Sequence, residues 1–301
     1  MVERAQGPGL TIAIPALDEA DYIRSCLVTL LAQVDEAETE ILVLDGGSAD
    51  RTREIVAEVA ARHPCVSLVD NPGRFQSAAL NLAAAIASPR SRILLRADAH
   101  ARYPDGFVRA CIDALSREGA NSVVVSMRAA GSGCFQRAVA AAQNSFVGNG
   151  GAAHRTGRRS GPVDHGHHAA FDLSSFRALN GYDPSFSHNE DAEYDLRLRR
   201  AGGRIVLTGE THVEYFPRST VVGLWRQYRN HGRGRARTVR KHRLRPALRQ
   251  LLPPAAVGGS IAGLLLSPVH PAFLAVPAGY LLILQVAAVA AAARTRDACV
   301  L

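Results

Sequence analysis

The sequence predicts an α/β fold, in which a mostly parallel sheet is covered by helices on both faces and is followed by a C-terminal hydrophobic helical hairpin. Between residues 10 and about 125, apolar runs such as LTIAIPA, EILVLDGG and RILLRADA alternate with helical patterns such as EADYIRSCLVTLLAQV. This alternation is typical of parallel strands that are buried on both faces. Gln250 to Ala293 then contains no Asp, Glu, Lys or Arg. That stretch is long enough for two helical passes across a hydrocarbon core of about 30 Å.

Composition and cysteine usage predict a globular protein with reduced thiols. The 301 residues are 47% hydrophobic with mean hydropathy near zero, which fits a globular protein with some membrane character. The N-terminal MVERAQGPGLTIAIP lacks a basic start before a long apolar core, so we expect the N-terminal part to stay in the cytosol. An odd number of scattered cysteines without CxxC spacing predicts reduced thiols rather than a disulfide framework or a zinc knuckle: Cys26, Cys65, Cys111, Cys134 and Cys299.

The charge is concentrated in one segment. The net charge is +8, yet Arg218 to Arg249 holds ten Arg, one Lys and no acid, so the remainder carries 8 − 11 = −3. We therefore expect an α/β domain over residues 1–217, an Arg-rich interfacial segment over 218–249 and a membrane hairpin over 250–301. Basic residues flank both outer ends of the hairpin, which places both ends in the cytosol. Pro253 and Pro254 make a re-entrant first arm an alternative, and a buried soluble helical pair is another.

Polar residues follow three predicted strands at their carboxyl ends, where open α/β sheets bind ligands. Pro15 to Glu19 follows the first strand, Asp45 precedes two glycines after the second, and Asp98 and His100 follow the fourth. Because side chains at i and i+2 share a face, Asp98 and His100 could together hold a divalent cation, with water or a substrate phosphate completing its ligands. A solvent-exposed loop start is the alternative. GxGxxG is absent, so nicotinamide chemistry is not expected.

Other polar residues have two interpretations. Arg74, just before a helix, could bind a phosphate or cap the sheet edge. Asp191 lies in SHNEDAEYDLRLRRAGG. A capping box between Ser187 and Glu190, together with helix electrostatics, could explain every charge in this stretch. Alternatively, Asp191 could line a substrate pocket. Three nearby histidines could form a metal cluster, but a polar loop is the preferred interpretation: His165, His167 and His168.

The order of these features resembles the family 2 glycosyltransferases with a GT-A fold, especially bacterial exopolysaccharide enzymes of the succinoglycan-biosynthesis type. The resemblance extends over roughly residues 9 to 235 and rests on PALDEA, LDGGSADRT, NPGRFQSAALN, ADAH and NED. It implies a nucleotide-diphosphate sugar donor and a Mg²⁺ or Mn²⁺ ion that bridges the diphosphate. His100 replaces the second acid of the usual metal motif, which favours Mn²⁺ or lowers the affinity for either ion.

The resemblance also implies a role for individual residues. Asp191 corresponds to the catalytic base of an inverting transfer, while Asp98 and His100 correspond to the metal motif, with Asp98 also on the ribose side. The resemblance implies that the base and ribose of the donor are contacted by Pro15, Ala16, Glu19 and Asp45, and that Arg74 lies at the edge of this group. Towards the acceptor or diphosphate it implies Glu190, Arg226 and Arg229. Arg226 and Asn230 depart from the QxxRW motif of processive synthases, which predicts transfer of a single sugar.

The sequence therefore predicts a membrane enzyme, with its catalytic domain on the cytoplasmic side, that transfers sugar to a lipid-linked acceptor in cell-surface or exopolysaccharide synthesis. The alternative is a membrane-anchored nucleotide-sugar or nucleic-acid binding protein without catalysis. Arg233 to Arg249 contains no aromatic residue, so no nucleic-acid partner is expected. A nucleotidyltransferase would show a basic, Gly-rich phosphate loop near its N-terminus, where this chain has the acidic PALDEA.

Overall fold

A computed structural model of the chain describes residues 9–150, 160–246 and 248–300. Most of the N-terminal stretch on which the cytosolic expectation rests lies outside these ranges. The described strands form one sheet of order β3-β2-β1-β4-β8-β6-β9-β5, with β7 paired to β9. Their bounds are β1 (Leu10–Ala16), β2 (Thr39–Asp45), β3 (Val66–Asp70), β4 (Ile93–Arg96), β5 (Ala101–Arg102), β6 (Ser122–Ala129), β7 (Gly161–Pro162), β8 (His167–Asp172) and β9 (Ile205–Tyr215).

The sheet is mostly parallel, as predicted. The four strands β3, β2, β1 and β4 run parallel, and so do β6 and β9. β8 lies antiparallel between β4 and β6 and joins the two parallel groups. The carboxyl ends of β1, β2, β4 and β6 therefore point to the same edge of the sheet, which is where the predicted ligand site should lie.

Helices cover both faces of this sheet, which confirms the predicted layers. In chain order they are α1 (Ile23–Leu31), α2 (Thr52–Ala60), α3 (Gln76–Ile86), α4 (Phe107–Arg117), α5 (Cys134–Asn144), α6 (Phe146–Asn149), α7 (Leu173–Ala178), α8 (Glu190–Arg200), α9 (Val221–His242), α10 (Leu248–Leu266) and α11 (Ala275–Thr295), with short 3₁₀ turns at Pro271–Leu274 and Ala298–Val300. On β1, Ile12 and Ile14 face the core formed with α1, α2 and α4, whereas Ala13 faces the core formed with α3, α7 and α8. This alternation is the period of two expected of a strand buried on both faces.

The Arg-rich segment forms α9, and part of its charge is neutralised by the α/β domain. Lys241 Nζ lies 2.7 Å from an Asp183 carboxylate oxygen and 2.6 Å from one of Glu193. The Arg237 guanidinium lies over the Phe186 ring, 4.5 Å from its centroid. Gly234 permits this packing, because a Cβ there would come within 2.4 Å of the His188 carbonyl oxygen. The later turns of α9 therefore belong to the α/β domain's surface, which the predicted interfacial segment did not anticipate.

The C-terminal apolar stretch forms the predicted pair of helices. α10 and α11 pack together across the turn at Pro271–Leu274, and most of their large apolar side chains are exposed. Within the described residues, one helical stretch is long and apolar enough to cross a membrane, Pro271–Thr295, with mean hydropathy 2.1 over its most apolar window and none of that window buried. This exposure contradicts the alternative of a buried soluble pair. α10 is shorter and carries Pro253 and Pro254 in its interior, which agrees with the re-entrant alternative.

The expectation of reduced thiols is wrong for one pair of cysteines. Cys134, the first residue of α5, forms a disulfide with Cys299 in the turn that follows α11, and their Cα atoms are 5.2 Å apart. An ion pair of 2.8 Å between Arg137 and Asp297 lies beside it. The two cysteines are separated by 165 residues, so no local spacing could indicate their pairing. The disulfide joins the α/β domain to the end of the apolar tail.

Candidate active site

The nucleotide side of the candidate site is built where β1 and β2 end. Asp45, 1% exposed, closes β2 and accepts hydrogen bonds from the Gly47 N–H (3.1 Å), the Ser48 hydroxyl (2.5 Å) and the Arg53 guanidinium (2.7 Å). Burial raises the pKa of Asp45, but the hydrogen bonds from Ser48 and Arg53 outweigh burial and hold its pKa below the ordinary value. Asp45 is therefore an ionised, oriented acceptor at the sheet edge.

The loop after β1 and the turn after β2 touch each other. The Gly46 N–H donates to the Ala16 carbonyl at 2.8 Å, and a Cβ at Gly46 would lie only 3.0 Å from the Arg74 carbonyl oxygen. Arg74 has φ +60° and an exposed side chain. The structure thus brings Pro15, Ala16, Asp45 and Arg74 to one place, as predicted, with the Arg74 side chain directed towards solvent.

Asp98 lies in the floor of the site rather than at an exposed loop start. Its side chain is 18% exposed and its neighbour Ala99 is 1% exposed, so the loop-start alternative is wrong. The buried Arg96 guanidinium contacts both Asp98 carboxylate oxygens, at 3.1 and 3.5 Å. Burial raises the pKa of Asp98, but the Arg96 charge outweighs burial and holds its pKa well below the ordinary value. Asp98 is therefore ionised at neutral pH.

His100 faces the loop after β1. Its Nδ1 lies 2.9 Å from a Glu19 carboxylate oxygen, while the Glu19 backbone N–H donates to Thr52 Oγ1 at 2.8 Å. Burial lowers the pKa of His100, and the hydrogen bond and charge of Glu19 more than compensate, so its pKa is raised. Glu19, predicted as a nucleotide-binding residue, thus also fixes the orientation of the His100 ring.

The residues present fit a divalent cation. A carboxylate that holds one nitrogen of an imidazole, as Glu19 holds Nδ1 of His100, fixes the ring so that the other nitrogen can serve a metal. Asp98 supplies an ionised oxygen ligand two residues away. Within the described ranges, no group of three or more His, Cys, Asp or Glu side chains could hold an ion by itself. A cation here would need further ligands from water or a substrate, as the sequence predicts.

Glu190 and Asp191 begin α8, and both lie close enough to Arg96 for its charge to act on them. Asn189, with φ +67°, is the N-cap residue and makes no side-chain cap, so the expected capping box between Ser187 and Glu190 is not formed. Burial and the neighbouring Asp191 charge raise the pKa of Glu190, which is 6% exposed. Burial also raises the pKa of Asp191, but the nearby His165, His168 and Arg96 hold it well below the ordinary value. The pair thus combines a protonatable acid with an ionised carboxylate.

The preferred interpretation of the histidines as a polar loop is wrong for His167 and His168, which begin β8. His168 is fully buried, with Nε2 2.7 Å from Asp195 Oδ1 and Nδ1 2.6 Å from the Tyr182 hydroxyl. His165 Nδ1 lies 2.8 Å from the other Asp195 oxygen. His167 Nε2 lies 3.6 Å from Asp98, and burial lowers the pKa of His167 to about 4. Asp195 lies one helical turn after Asp191, so this network forms the wall behind the predicted base.

Sequence reasoning missed Arg96, which lies at the centre of the candidate site. It is 7% exposed at the end of β4 and its charge acts on Asp98, Glu190 and Asp191. The signal was present, because an arginine that ends an apolar strand two residues before an aspartate is positioned to pair with it on the same face. Asp195 and Tyr182 were missed as well, since neither lies in a distinctive local pattern.

The arginines of α9 are only partly brought to this site. Arg226 and Arg229 are exposed, and the Arg229 guanidinium lies over the Trp225 ring, 5.4 Å from its centroid. Asn230 Nδ2 lies 3.5 Å from His188 Nε2, in the loop before α8. Arg218, just before α9, is close enough to lower the pKa of His188 and to oppose protonation of His100. The start of α9 therefore forms the rim of the site.

Comparison with known proteins assigns this arrangement to a class. The family model "Glycosyl transferase family 2" matches residues 11–179, more than half of the chain. This match contains the ends of β1, β2 and β4 and therefore most of the nucleotide side of the site. The chain belongs to glycosyltransferase family 2.

One characterised protein is similar in sequence to most of this chain. The chain is 46% identical over 255 residues to the succinoglycan biosynthesis protein ExoA of Rhizobium meliloti (strain 1021), and the match covers 83% of this chain and 77% of that protein. The predicted resemblance to enzymes of this type is confirmed.

Solved structures confirm the GT-A fold. The mannosyltransferase PcManGT of Pyrobaculum calidifontis, in complex with GDP-Man and Mn²⁺, superposes with TM-score 0.60 at 20% identity over 96% of this chain and 76% of that one. GalNAc-T7 with UDP, GalNAc and Mn²⁺ gives TM-score 0.58 at 12% identity, covering 77% of this chain and 48% of that one. S. aureus TarS residues 1–349 with UDP gives TM-score 0.52 at 11% identity, covering 75% of this chain and 64% of that one.

Proposed function

We propose that this protein transfers a single sugar, with inversion, from a nucleotide-diphosphate donor to a lipid-linked acceptor at the cytoplasmic face of the cell membrane. The observation that carries the proposal is a pair of carboxylates, Asp98 and Asp191, that both lie close enough to Arg96 for its charge to lower their pKa. Asp98 belongs to the end of β4 beside His100, and Asp191 belongs to the start of α8, and the Arg96 charge acts on both. A role in exopolysaccharide synthesis is supported by the similarity to ExoA.

The donor side of the proposal follows from hydrogen-bonding chemistry. Asp45 offers an ionised acceptor to the N–H or hydroxyl groups of a base or ribose, and the backbone of Pro15 and Ala16 lines the same edge. Asp98 and His100 would hold a Mg²⁺ or Mn²⁺ ion against the diphosphate, which would offset negative charge on the leaving oxygens. Solved structures of similar fold carry GDP-Man or UDP together with Mn²⁺, which supports this assignment.

Asp191 is proposed to accept the proton of the acceptor hydroxyl. A general base must be ionised before reaction, and the charges of His165, His168 and Arg96 keep Asp191 so. An acceptor hydroxyl deprotonated by Asp191 would attack the sugar opposite the leaving diphosphate, and such an in-line displacement would invert the configuration. Glu190 is proposed to contact the acceptor or the diphosphate from the same turn, with Arg226 and Arg229 at the rim.

The membrane arm of the proposal rests on α11, because none of its most apolar window is buried. Arginines flank the helical pair, with Arg243 and Arg245 before it and Arg294 and Arg296 after it, which favours cytoplasmic ends. A non-catalytic nucleic-acid binder is less well supported, because Asp183 and Glu193 neutralise part of the basic surface of α9.

Isothermal titration of UDP-, GDP- and TDP-sugars, with Mn²⁺ or with EDTA, tests the donor site. We expect one class of donor to bind with Mn²⁺, and Asp98→Asn and His100→Ala to abolish the Mn²⁺-dependent part of the affinity. Asp105→Asn, at an exposed residue outside the site, is the matched control and should bind as the parent does. If Mn²⁺ raised the donor affinity of Asp98→Asn as much as that of the parent, the assignment would fail.

A further inference from the structure

The disulfide between Cys134 and Cys299 lies at the surface of the protein. Cys134 is exposed and Cys299 is half-buried. The bond connects the first residue of α5, in the α/β domain, with the turn that follows α11. A disulfide is broken when an external thiolate attacks one of its sulfurs, and the rate of that attack depends on access. The position of this disulfide therefore permits exchange with thiols from solution.

A cation lies against the sulfur of Cys299. Arg137 Nη2 is 2.9 Å from Cys299 Sγ, and Arg137 Nε is 2.8 Å from a carboxylate oxygen of Asp297. A positive charge beside a cysteine sulfur stabilises the thiolate, and a more stable thiolate leaves faster when its disulfide is attacked. Arg137 is thus placed to assist the departure of the Cys299 sulfur.

The helix α5 favours the thiolate of the other cysteine. Cys134 is the first residue of this 11-residue helix, and the N-cap Gly133 makes no side-chain cap. The N-terminus of a helix carries a partial positive charge, which stabilises a thiolate placed there. Each sulfur of the disulfide therefore has its own source of positive charge.

The surroundings of the three remaining cysteines suppress the thiolate. Cys26 and Cys111 are fully buried, and burial raises the pKa of both thiols. Burial and the charge of Glu36 raise the pKa of Cys65 to about 11. Such thiols are almost entirely protonated at neutral pH, and the thiolate is the reactive form. Thiol chemistry should therefore be concentrated at Cys134 and Cys299.

Non-covalent contacts accompany the disulfide where the tail meets α5. The end of α11 and the turn Ala298–Val300 pack against α5, and Val300 is buried. The Arg137–Asp297 ion pair is partly exposed, and ion pairs of this kind contribute little to stability. Reduction would leave these contacts without the covalent link. The end of the tail would then separate from α5 more often.

We infer that Cys134 and Cys299 form a redox-active disulfide that exchanges with thiols in solution and so sets whether the end of the apolar tail is covalently attached to the α/β domain. The inference goes beyond the proposed transfer reaction and rests on it in one respect, the cytoplasmic location. The cytosol is a reducing compartment, and disulfides that form in such compartments are usually transient, catalytic or redox-sensing.

The reaction consists of two thiol–disulfide exchanges. A thiolate attacks Cys134 Sγ, the more exposed sulfur, forms a mixed disulfide with it and releases Cys299 as a thiolate beside Arg137. A second thiolate attacks the reagent sulfur of the mixed disulfide, and Cys134 leaves as a thiolate at the start of α5. The two external thiols end as one disulfide, two electrons reduce the protein, and the two thiol protons pass to the solvent or to the cysteines.

Titration of the full-length protein in detergent with mixtures of reduced and oxidised glutathione tests the inference. After acid quenching and denaturation, maleimide labelling and mass spectrometry count the free thiols. We expect three in excess oxidised glutathione and five in excess reduced glutathione, with a reversible transition between them. Tryptic peptides of the oxidised protein should include residues 129–137 linked to residues 297–301. Five free thiols in excess oxidised glutathione, or a bond that stays intact in excess reduced glutathione, would overturn the inference.

Matched variants test the role of Arg137 in the rate of reduction by glutathione. Arg137→Gln should slow reduction at least about threefold, because the leaving thiolate loses its cation, and Arg137→Lys should restore most of the rate. The control Asp297→Asn removes the ion pair but keeps Arg137 and an acceptor oxygen for the Cys299 N–H, so it should be reduced at least as fast as the parent. Reduction of Arg137→Gln at the parent's rate, or equal slowing by both variants, would contradict the assignment.

Limited digestion with trypsin tests the attachment of the tail. Arg294 and Arg296 lie at the end of α11 and are exposed. Reduction should speed cleavage after these arginines at least about threefold in the parent, because local opening becomes easier, and should change nothing in Cys134→Ser, which has no link to lose. Equal cleavage of the oxidised and reduced parent would refute the inference. These measurements use no sugar donor, so their failure is distinct from failure of the proposed function.

Discussion

Replacing Arg96 by Met should destabilise the α/β domain strongly. The Arg96 side chain is 7% exposed and contacts Asp98, itself 18% exposed, at 3.1 and 3.5 Å. Met fills a similar volume but leaves the Asp98 carboxylate without its cation in a buried setting. Breaking a buried ion pair by removing one partner costs about 3–5 kcal/mol. In a domain of this size that corresponds to a decrease in Tm of roughly 6–20 °C.

The assay is thermal unfolding in one detergent, followed for the parent, Arg96→Met and the control Arg92→Met. Arg92 starts the same stretch of chain with an exposed side chain, so its replacement should change the free energy of unfolding by no more than about 0.5 kcal/mol. The double variant Arg96→Met with Asp98→Asn should recover part of the loss, because it no longer buries an unpaired charge. A decrease in Tm for Arg96→Met as small as that for Arg92→Met, or strictly additive losses in the double variant, would refute the reasoning.

Three further results follow from the structure. Gly181→Ala should lower the free energy of unfolding by at least about 2 kcal/mol in denaturant unfolding, because φ at Gly181 is +58° and the new Cβ would lie 2.1 Å from Asn81 Oδ1. The control Gly119→Ala, at φ +54° with no atom within 4 Å, should cost only about 1 kcal/mol. Equal costs for the two variants would be inconsistent with the clash. Folding raises the pKa of Glu190, so the native state holds the Glu190 proton more tightly and stability falls as pH rises from 4.5. Glu190→Gln should flatten that fall in a pH series of unfolding midpoints. An unchanged slope would contradict this prediction. Truncation after Arg249 should leave donor affinity intact and greatly weaken transfer to acceptor in membranes, and equal transfer by both forms would remove the case for the tail.

Much of the fold was predictable because it depends on local patterns. The apolar strands and the polar residues at their carboxyl ends are contiguous in sequence, so Asp45, Asp98 and His100 could be placed at one sheet edge. The apolar tail was equally predictable, because its lack of charged residues can be read from composition alone. These features need only the period of strands and helices and the rule that ligands bind at the carboxyl edge.

The parts that escaped prediction depend on contacts between distant segments. Cys134 and Cys299 meet only because α5 packs against the turn after α11. His168 is a core residue because Tyr182 and Asp195 satisfy both of its ring nitrogens, and no local pattern encodes that pairing. The basic surface of α9 is partly neutralised by acids from the loop before α8 and from α8 itself. A sequence indicates that such groups need partners but not which partners they find.

The assignment of Asp191 as the catalytic base is the central claim, and single-turnover transfer tests it most directly. Full-length parent, Asp191→Asn and the control Asp164→Asn, at an 85% exposed carboxylate, are mixed with membranes that contain the acceptor, Mn²⁺ and radiolabelled donor. The measurement is radioactivity in the lipid extract against time, together with donor affinity for each variant. We expect Asp191→Asn to bind donor like the parent and to transfer sugar at least about 10²-fold more slowly, while Asp164→Asn matches the parent. Transfer by Asp191→Asn at the rate of the parent, or a loss of rate matched by an equal loss of donor affinity, would contradict the account.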